Sequence, residues 1–280
     1  MPELPEVETT RRMLEPVLLG RVVRDVLHTD PNRYRNTTAM LGKQILKLER
    51  RGKYLIFRLD DGLDCIVHLK MTGGFRLPQD KSFLEPPRFE RLRLVLHDSE
   101  VSYVDSRRFG FWEVVPSNDW GHIKALSSMG PEPLEAGFGL KDFQVAMAKV
   151  ARVKPALLSQ KPVAGVGNIY ADESLWLAKI HPEESKLSAA AAKRLHAAII
   201  QVMTKAVAAG GSTLSDNSYQ QPSGESGYFQ FEHHAYDRNG QPCSRCGTEI
   251  EKYTLAGRGT HFCPDCQPKG QGKKVKSRKG

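Results

Sequence analysis

Residues 243–266 read CSRCGTEIEKYTLAGRGTHFCPDC. Two Cys-x-x-Cys pairs, Cys243/Cys246 and Cys263/Cys266, stand 16 residues apart. That spacing lets four thiolates converge on one tetrahedral zinc ion of the ribbon type. Four thiolates fill the coordination shell, so the expected zinc is structural and His261 would be a surplus ligand. The residues between the pairs form an expected hairpin, with Arg258 between Gly257 and Gly259 at its tip. Such an arginine is either a solvated turn residue or a group offered to a phosphate, the glycines letting the backbone come close. The fifth cysteine, Cys65 in DCIVHL, lies in an apolar strand pattern and reads as a core thiol.

Toward the C-terminus, residues 268–280 (PKGQGKKVKSRKG) carry six Lys or Arg and no acid. The formal charge of the 280-residue chain is +9, so this tail holds two thirds of it. Net positive charge fits a polyanionic partner, yet a basic tail also fits a solvated, disordered end. The chain is 40% hydrophobic and 26% charged, the balance of a globular protein long enough for two domains. No apolar run reaches the roughly 20 residues of a membrane span. No basic-then-apolar secretory signal opens the chain. A cytoplasmic, nucleoid-associated protein without a membrane partner is expected.

Toward the N-terminus from the cysteines, SDNSYQQPSGESGYF (215–229) is polar and rich in Gly and Ser, and reads as a mobile loop. Before it the apolar spacing is helical. MGPEPL (129–134) introduces helices expected at 141–151, 154–160, 168–179 and 188–211, the last capped by Ser188 and ended by Gly210. VAGVGNIYADESL (163–175) runs a Gly-rich turn into a helix N-terminus, with Asn168 read as its N-cap. Free N–H groups there suit an anion such as a DNA phosphate, with Lys154 upstream as a second contact. An ordinary corner between two helices fits the same residues. Neither the Gly-x4-Gly-Lys-Ser/Thr loop nor the strand-borne dinucleotide fingerprint is present.

From 21 to 115 the pattern turns strand-like, with QILKL, YLIFRL, CIVHL, RLRLVL and VSYV separated by turn signals such as DDG and HDS. Antiparallel sheets packed as a sandwich are expected. Ahead of them, residues 4–20 form a helical pattern with Val7, Thr10, Leu14, Val17 and Leu18 on one face and Gly20 at the C-terminus.

Four short stretches carry chemistry. RRGKYL (50–55) sets Lys53 after a glycine at a strand start. HLKMTGGFR (68–76) and DSRRFGFW (105–112) offer Met71, Arg107 and Phe109 beside glycines. These are either core residues or wedges that enter a base stack and replace an extruded nucleotide. MPELPE opens the chain. A proline at position 2 favours removal of Met1, which would leave a secondary amine. An α-amino group has a pKa of roughly 7.7–8, so a fair fraction is an unprotonated nucleophile able to form an iminium with a sugar carbon. Glu3 and Glu6 lie within reach as acid or proton shuttle. The same residues also fit a capped helix start.

Taken together, MPELPEVET, RRGKYL, HLKMTGG, DSRRFG, MGPEPL, the GVGNIYA turn and the four-cysteine finger resemble the bacterial formamidopyrimidine-DNA glycosylase family, over roughly residues 2–267. Leu4 favours its purine-lesion branch over the endonuclease VIII branch. The resemblance implies an α+β fold: an N-terminal β-sandwich with an N-terminal helix (1–130), a helical helix–two-turn–helix domain (131–229) and a C-terminal zinc-finger β-hairpin (230–267), followed by a basic disordered tail (268–280). It implies a monomeric base-excision-repair enzyme that flips oxidised purines out of double-stranded DNA, cleaves the glycosidic bond and nicks the strand by β,δ-elimination. Pro2 would be the Schiff-base nucleophile, Glu3 the general acid and Glu6 an aid to proton transfer. Lys53 would contact the lesion phosphate and serve β-elimination, and Arg258 would serve δ-elimination. Asn168, Lys154 and Lys149 would grip the DNA backbone. Met71, Arg107 and Phe109 would fill the vacated space, and the 215–227 loop would cover the lesion. The alternatives are an oxidised-pyrimidine glycosylase of the endonuclease VIII type, or a non-enzymatic zinc-finger DNA-binding protein. Where many members carry a His-Asp-His segment, this chain has Phe89-Glu90-Arg91, so no histidine contact carries over there.

Overall fold

A computed structural model describes residues 1–78 and 84–270. Most of the basic tail, and its expected disorder, therefore lies outside the described residues. The chain divides into two compact units, Met1–Ser127 with Ala206–Gln230, and Ser128–Lys205 with Phe231–Gly280. Among the described residues no helix is long and apolar enough to cross a membrane.

The first unit opens with helix α1 (Leu4–Leu18). Nine strands follow: β1 (Val23–His28), β2 (Tyr34–Arg35), β3 (Ile45–Arg51), β4 (Tyr54–Leu59), β5 (Leu63–His68), β6 (Gly73–Arg76), β7 (Glu90–Leu96), β8 (Glu100–Asp105) and β9 (Phe111–Pro116), then a short helix α2 (Lys124–Ser127). They form a four-stranded sheet ordered β1-β7-β8-β6 and a five-stranded sheet ordered β2-β9-β5-β4-β3. All neighbours are antiparallel except β2 and β9. Strand β7 shows the alternation of a half-buried strand, with Leu92, Leu94 and Leu96 buried. Central strands β4 and β5 are buried almost throughout.

Leu14 and Leu18 of α1 join Phe57, Phe75, Tyr103 and Trp112 in one core. The four rings meet tilted or edge-on, with centroids 5.5 Å apart for Phe75–Tyr103 and 5.7 Å for Phe57–Trp112. Such pairs add about 0.5–1.5 kcal/mol each beyond area burial. The Tyr103 ring packs so closely that two glycines are obligatory. A Cβ at Gly110 would overlap the Tyr103 hydroxyl, and one at Gly73 would overlap both that hydroxyl and the Leu69 carbonyl.

The second unit holds α3 (Leu140–Met147), α4 (Val153–Leu158), α5 (Asn168–Ala178), most of α6 (Ala189–Ala208) and the hairpin of β10 (Glu251–Leu255) and β11 (Arg258–Phe262). Helix α3 stops at Met147, short of the expected 151, because Leu187 and Lys186 donate their N–H groups to the Met147 and Val150 carbonyls. Gly210 and Gly211 adopt φ +71° and +81° and end α6, returning N–H bonds to Val207 and Ala206.

Residues 206–230 group with the first unit, whereas the sequence reading placed them with the helices. The reason is a set of specific bonds. Ser212 N–H donates to Glu6 Oε1 at 2.8 Å, Arg76 donates to Gln220 Oε1 at 2.7 Å, and Leu77 N–H donates to the Pro222 carbonyl at 2.9 Å. The last bond lies just past β6, an edge strand of its sheet. The 215–229 stretch, read as mobile, is thus tied at several points.

Gly110→Ala is expected to cost about 1–3 kcal/mol in urea denaturation, through overpacking. Tyr103→Phe in the same chain should recover most of the loss by removing the overlapped hydroxyl. Gly73→Ala should resist the same rescue, because the Leu69 carbonyl remains in the way.

Candidate functional site

The first unit gathers its reactive residues through strand register. Tyr54 pairs with His68 and His68 with Phe111. Three strands of one sheet thus meet at one end. The residues just outside that end are Lys53, before β4, Lys70–Met71, after β5, and Phe109–Gly110, before β9. Lys53 sits in the two-residue turn that joins Arg51 to Tyr54, where Gly52 has φ +56°. A glycine at the first central position is what a tight hairpin of this type requires. Lys53 itself is only 7% exposed.

Helix α1 is tied to the same end. Glu8 accepts Arg11 and Arg12, and also Arg50 Nε at 3.1 Å, while Arg50 donates onward to the Gly52 carbonyl at 3.2 Å. Burial alone would raise the Glu8 pKa, but the bonds to Arg11 and Arg12 outweigh it and lower it. One turn earlier, Glu3 is the N-cap and Glu6 completes a capping box. Glu6 Oε2 accepts the Glu3 N–H at 2.8 Å and Oε1 accepts the Ser212 N–H at 2.8 Å. Pro2, Glu3 and Glu6 are all buried. Gly211 is needed here, since a Cβ would press within 2.7 Å of Glu6 Oε1.

Met71, Arg107 and Phe109 lie on two loops joined by Asp105. Its buried carboxylate accepts the Thr72 hydroxyl at 2.5 Å, the Arg107 N–H at 3.2 Å and the Gly110 N–H at 2.8 Å. Phe109 is 45% exposed, with the Arg107 guanidinium 4.8 Å from its ring centre. The core alternative for Phe109 therefore fails, whereas Met71 is half-buried.

In the second unit, Lys149 is exposed between α3 and α4. Arg258 is exposed as the first residue of β11, next to a turn in which Ala256 and Gly257 both have positive φ. The N-cap of α5 is Gly167, so the expectation for Asn168 is corrected. Asn168 is the first helical residue, and its Nδ2 donates to the Gly259 carbonyl at 2.9 Å. The turn before it is closed by Gln160, which accepts the Gly165 N–H at 2.7 Å and donates to the Val166 carbonyl at 2.5 Å.

Lys154 does not point into solvent. Its ammonium is fully buried, 2.6 Å from Asp172 Oδ1 and 2.9 Å from both the Gly259 carbonyl and Thr260 Oγ1. The ammonium donates two hydrogen bonds and pairs with the Asp172 carboxylate, so it is turned inward in the structure, whereas the sequence reading offered it to a phosphate.

Cys243, Cys246, Cys263 and Cys266 place their sulfur atoms within 4.8 Å of one another. A tetrahedral zinc with bonds of about 2.3 Å needs such spacing, and four thiols are the donor set that suits it. His261 turns away and meets Asp172 Oδ2 with Nδ1 at 3.2 Å. Sequence reasoning missed Trp176. Its Nε1–H donates to Cys243 Sγ at 3.4 Å, and its ring lies between His234 at 4.2 Å and the Arg245 guanidinium at 3.9 Å. Its place within helix α5 gives no cue to this role.

The four-cysteine cluster suits one structural zinc, and comparison with known proteins gives the class, a DNA glycosylase that carries a zinc finger. Residues 1–112 match the formamidopyrimidine-DNA glycosylase N-terminal domain, residues 129–218 its H2TH domain, and residues 240–269 the zinc finger found in FPG and IleRS. The chain is 50% identical to the formamidopyrimidine-DNA glycosylase of Deinococcus radiodurans, covering 96% of this chain and 98% of that one. The crystal structure of the MutM (Fpg) protein from Thermus thermophilus matches with TM-score 0.90 and 48% identity, over 96% of this chain and all of the other. Wild-type Lactococcus lactis Fpg in complex with N7-benzyl-Fapy-dG DNA matches with TM-score 0.86 and 40% identity, over 95% and 100%. The chain belongs to the formamidopyrimidine-DNA glycosylase family.

Trp176→Phe keeps the ring but deletes the N–H···S bond. It should speed zinc release to a chromogenic chelator several-fold, as outer-shell changes weaken metal sites. An unchanged release rate would show the bond to be without consequence.

His68 gives a pH dependence. Its Nδ1 accepts the Lys70 N–H at 2.9 Å, so the ring is held neutral. Burial, helped by the charges of Lys70 and Lys53, lowers its pKa from 6.5 to about 3. The unfolded chain therefore binds an extra proton between those values, and this contribution to stability is lost as pH falls from 6.5 toward 3. Urea midpoints should decline across that window, and less steeply in His68→Asn.

Proposed function

We propose that this chain is a bifunctional base-excision-repair enzyme, a DNA glycosylase and abasic-site lyase that removes oxidised purines from duplex DNA. The observation that carries this reading is the buried Pro2–Glu3 start of α1, a helix that Glu8 and Arg50 tie to the turn bearing Lys53. The matched Lactococcus lactis protein, solved on Fapy-dG-containing DNA, supports the substrate class.

With Met1 removed, the Pro2 amine attacks the sugar carbon that bears the damaged base. The carbon–nitrogen bond to the base breaks and the base leaves with a proton. Glu3 protonates the sugar ring oxygen, which opens the ring and leaves an iminium on Pro2. Loss of a proton from the adjacent sugar carbon then expels the 3′ phosphate, and a second elimination expels the 5′ phosphate. Lys53 contacts the lesion phosphate and serves the first elimination; Arg258 binds phosphate and serves the second. Glu6 fixes the Glu3 amide and so sets the reacting pair. Arg107 and Phe109 occupy the space left by the flipped nucleotide, with Met71 beside them. Lys149 and Asn168 contact the DNA backbone. A monomer working in the cytoplasm at the nucleoid fits this chemistry.

Lactococcus lactis Fpg has also been solved on DNA containing an oxidised pyrimidine. That observation keeps open a broader preference of the endonuclease VIII type.

Borohydride trapping on duplexes with 8-oxoguanine or thymine glycol tests both. Protein shown by mass to lack Met1 should give a covalent adduct that forms faster on 8-oxoguanine and disappears in Pro2→Gly. No adduct on either lesion would sink the reading, and a clear preference for thymine glycol would move it to the pyrimidine branch.

A further inference from the structure

The fully buried Lys154 ammonium is unlike a surface lysine awaiting DNA. It lies within the second unit, on α4, and reaches the strand β11 that follows the hairpin turn. Its partners include Asp172 on α5 and two successive residues of that strand, Gly259 and Thr260. Asp172 in turn accepts the His261 N–H at 2.9 Å and meets the His261 ring at 3.2 Å. Asn168 Nδ2 adds a second donor to the Gly259 carbonyl. The three residues directly after Arg258 are therefore each bonded to α4 or α5. The Arg258 side chain itself remains exposed.

A buried charge tolerates this position only when its donors are satisfied and a countercharge is present. Asp172 on α5 supplies the countercharge, and the hairpin supplies two acceptors, the Gly259 carbonyl and the Thr260 hydroxyl, so the ion pair and the hairpin position depend on one another. A phosphate entering from solvent would have to displace one of these partners from a site with no exposed surface.

We propose that Lys154 and Asp172 are positioning residues that hold the Arg258 strand where its guanidinium meets a DNA phosphate, and that Lys154 does not touch DNA. The proposal rests on the reading of Arg258 as a phosphate contact made above.

Two measurements on the full zinc-loaded chain test it. Amine-reactive labelling, mapped by peptide mass with and without undamaged duplex, should modify Lys149 in free protein and protect it on DNA. Lys154 should stay unlabelled in both states. Labelling of Lys154 in free protein would overturn the proposal. The salt dependence of binding then separates direct from indirect action. Arg258→Ala should lower the slope by about one phosphate contact. Lys154→Met with Asp172→Asn, which leaves no lone buried charge, should lower it by the same amount while zinc content stays full. Adding Arg258→Ala to that pair should change nothing further. A loss of two contacts in the triple variant would make Lys154 a contact in its own right and overturn the proposal. Thr260→Val, a milder change, should give a partial loss in the same direction, and an unchanged slope there and in the pair would also overturn it. An unchanged slope in Arg258→Ala alone would instead remove the phosphate role of Arg258, while the labelling still decides whether Lys154 is internal.

Discussion

The reactive end of the first unit rests on one carboxylate. Asp105 ends β8 in the four-stranded sheet, and its oxygens accept N–H groups from the link into β9, in the other sheet. It also accepts the Thr72 hydroxyl beside β6. Asp105 is fully buried, and polar hydrogens surround its carboxylate, since an unpaired buried carboxylate would be strongly disfavoured. Together with the direct bond from the Arg107 N–H to the Thr72 hydroxyl at 3.2 Å, Asp105 ties the loops bearing Met71 and Phe109 to one another. With it, the close approach of both loops to Tyr103 follows, and so does the need for glycine at 73 and 110.

Fixing the backbone is what this chemistry asks of the fold. A nucleophilic amine, a carboxylic acid and a cation must meet one sugar without rearrangement during reaction. Glu6 spends both carboxylate oxygens on backbone N–H groups, one of them that of Glu3. Arg50 bridges α1 to the turn that carries Lys53. Glu6, read in sequence as an aid to proton transfer or part of a capped helix start, and Arg50 are internal struts in the structure. The second unit follows the same logic with Asp172 and with Glu173, whose carboxylate accepts three successive N–H groups from residues 234–236.

This explains which features the sequence made legible. Cysteine spacing, helical and strand periodicity and glycine stops are local signals, and the zinc ligands, α1, α5, α6 and most strands were readable from them. The burial of Lys154 was not, because it depends on Asp172 and Thr260, which lie 18 and 106 residues away in the chain. Asn168 looked like a helix cap because asparagine favours that position. Its amide is drawn instead to a carbonyl of β11, and Gly167 takes the cap. The grouping of residues 206–230 was hidden for the same reason, since Gln220 and Ser212 bond to Arg76 and Glu6, 144 and 206 residues away.

The segment Phe89-Glu90-Arg91 is tied to Asp105 in the same framework. Phe89 adopts φ +64°, which a bulky residue rarely does. Its carbonyl accepts the Asp105 N–H at 3.0 Å, and Arg91 Nε donates to the Asp105 carbonyl at 2.8 Å. Arg88 and Arg91 flank the Phe89 ring at 4.5 and 5.8 Å. The bond from Asp105 to Phe89 uses only backbone atoms, so it places no demand on the side chain at position 89. Arg91 supplies a second tie that a neutral side chain without a donor could not. The Phe89-Glu90-Arg91 segment thus supports Asp105, and through it the loops on which the proposed base-flipping residues stand.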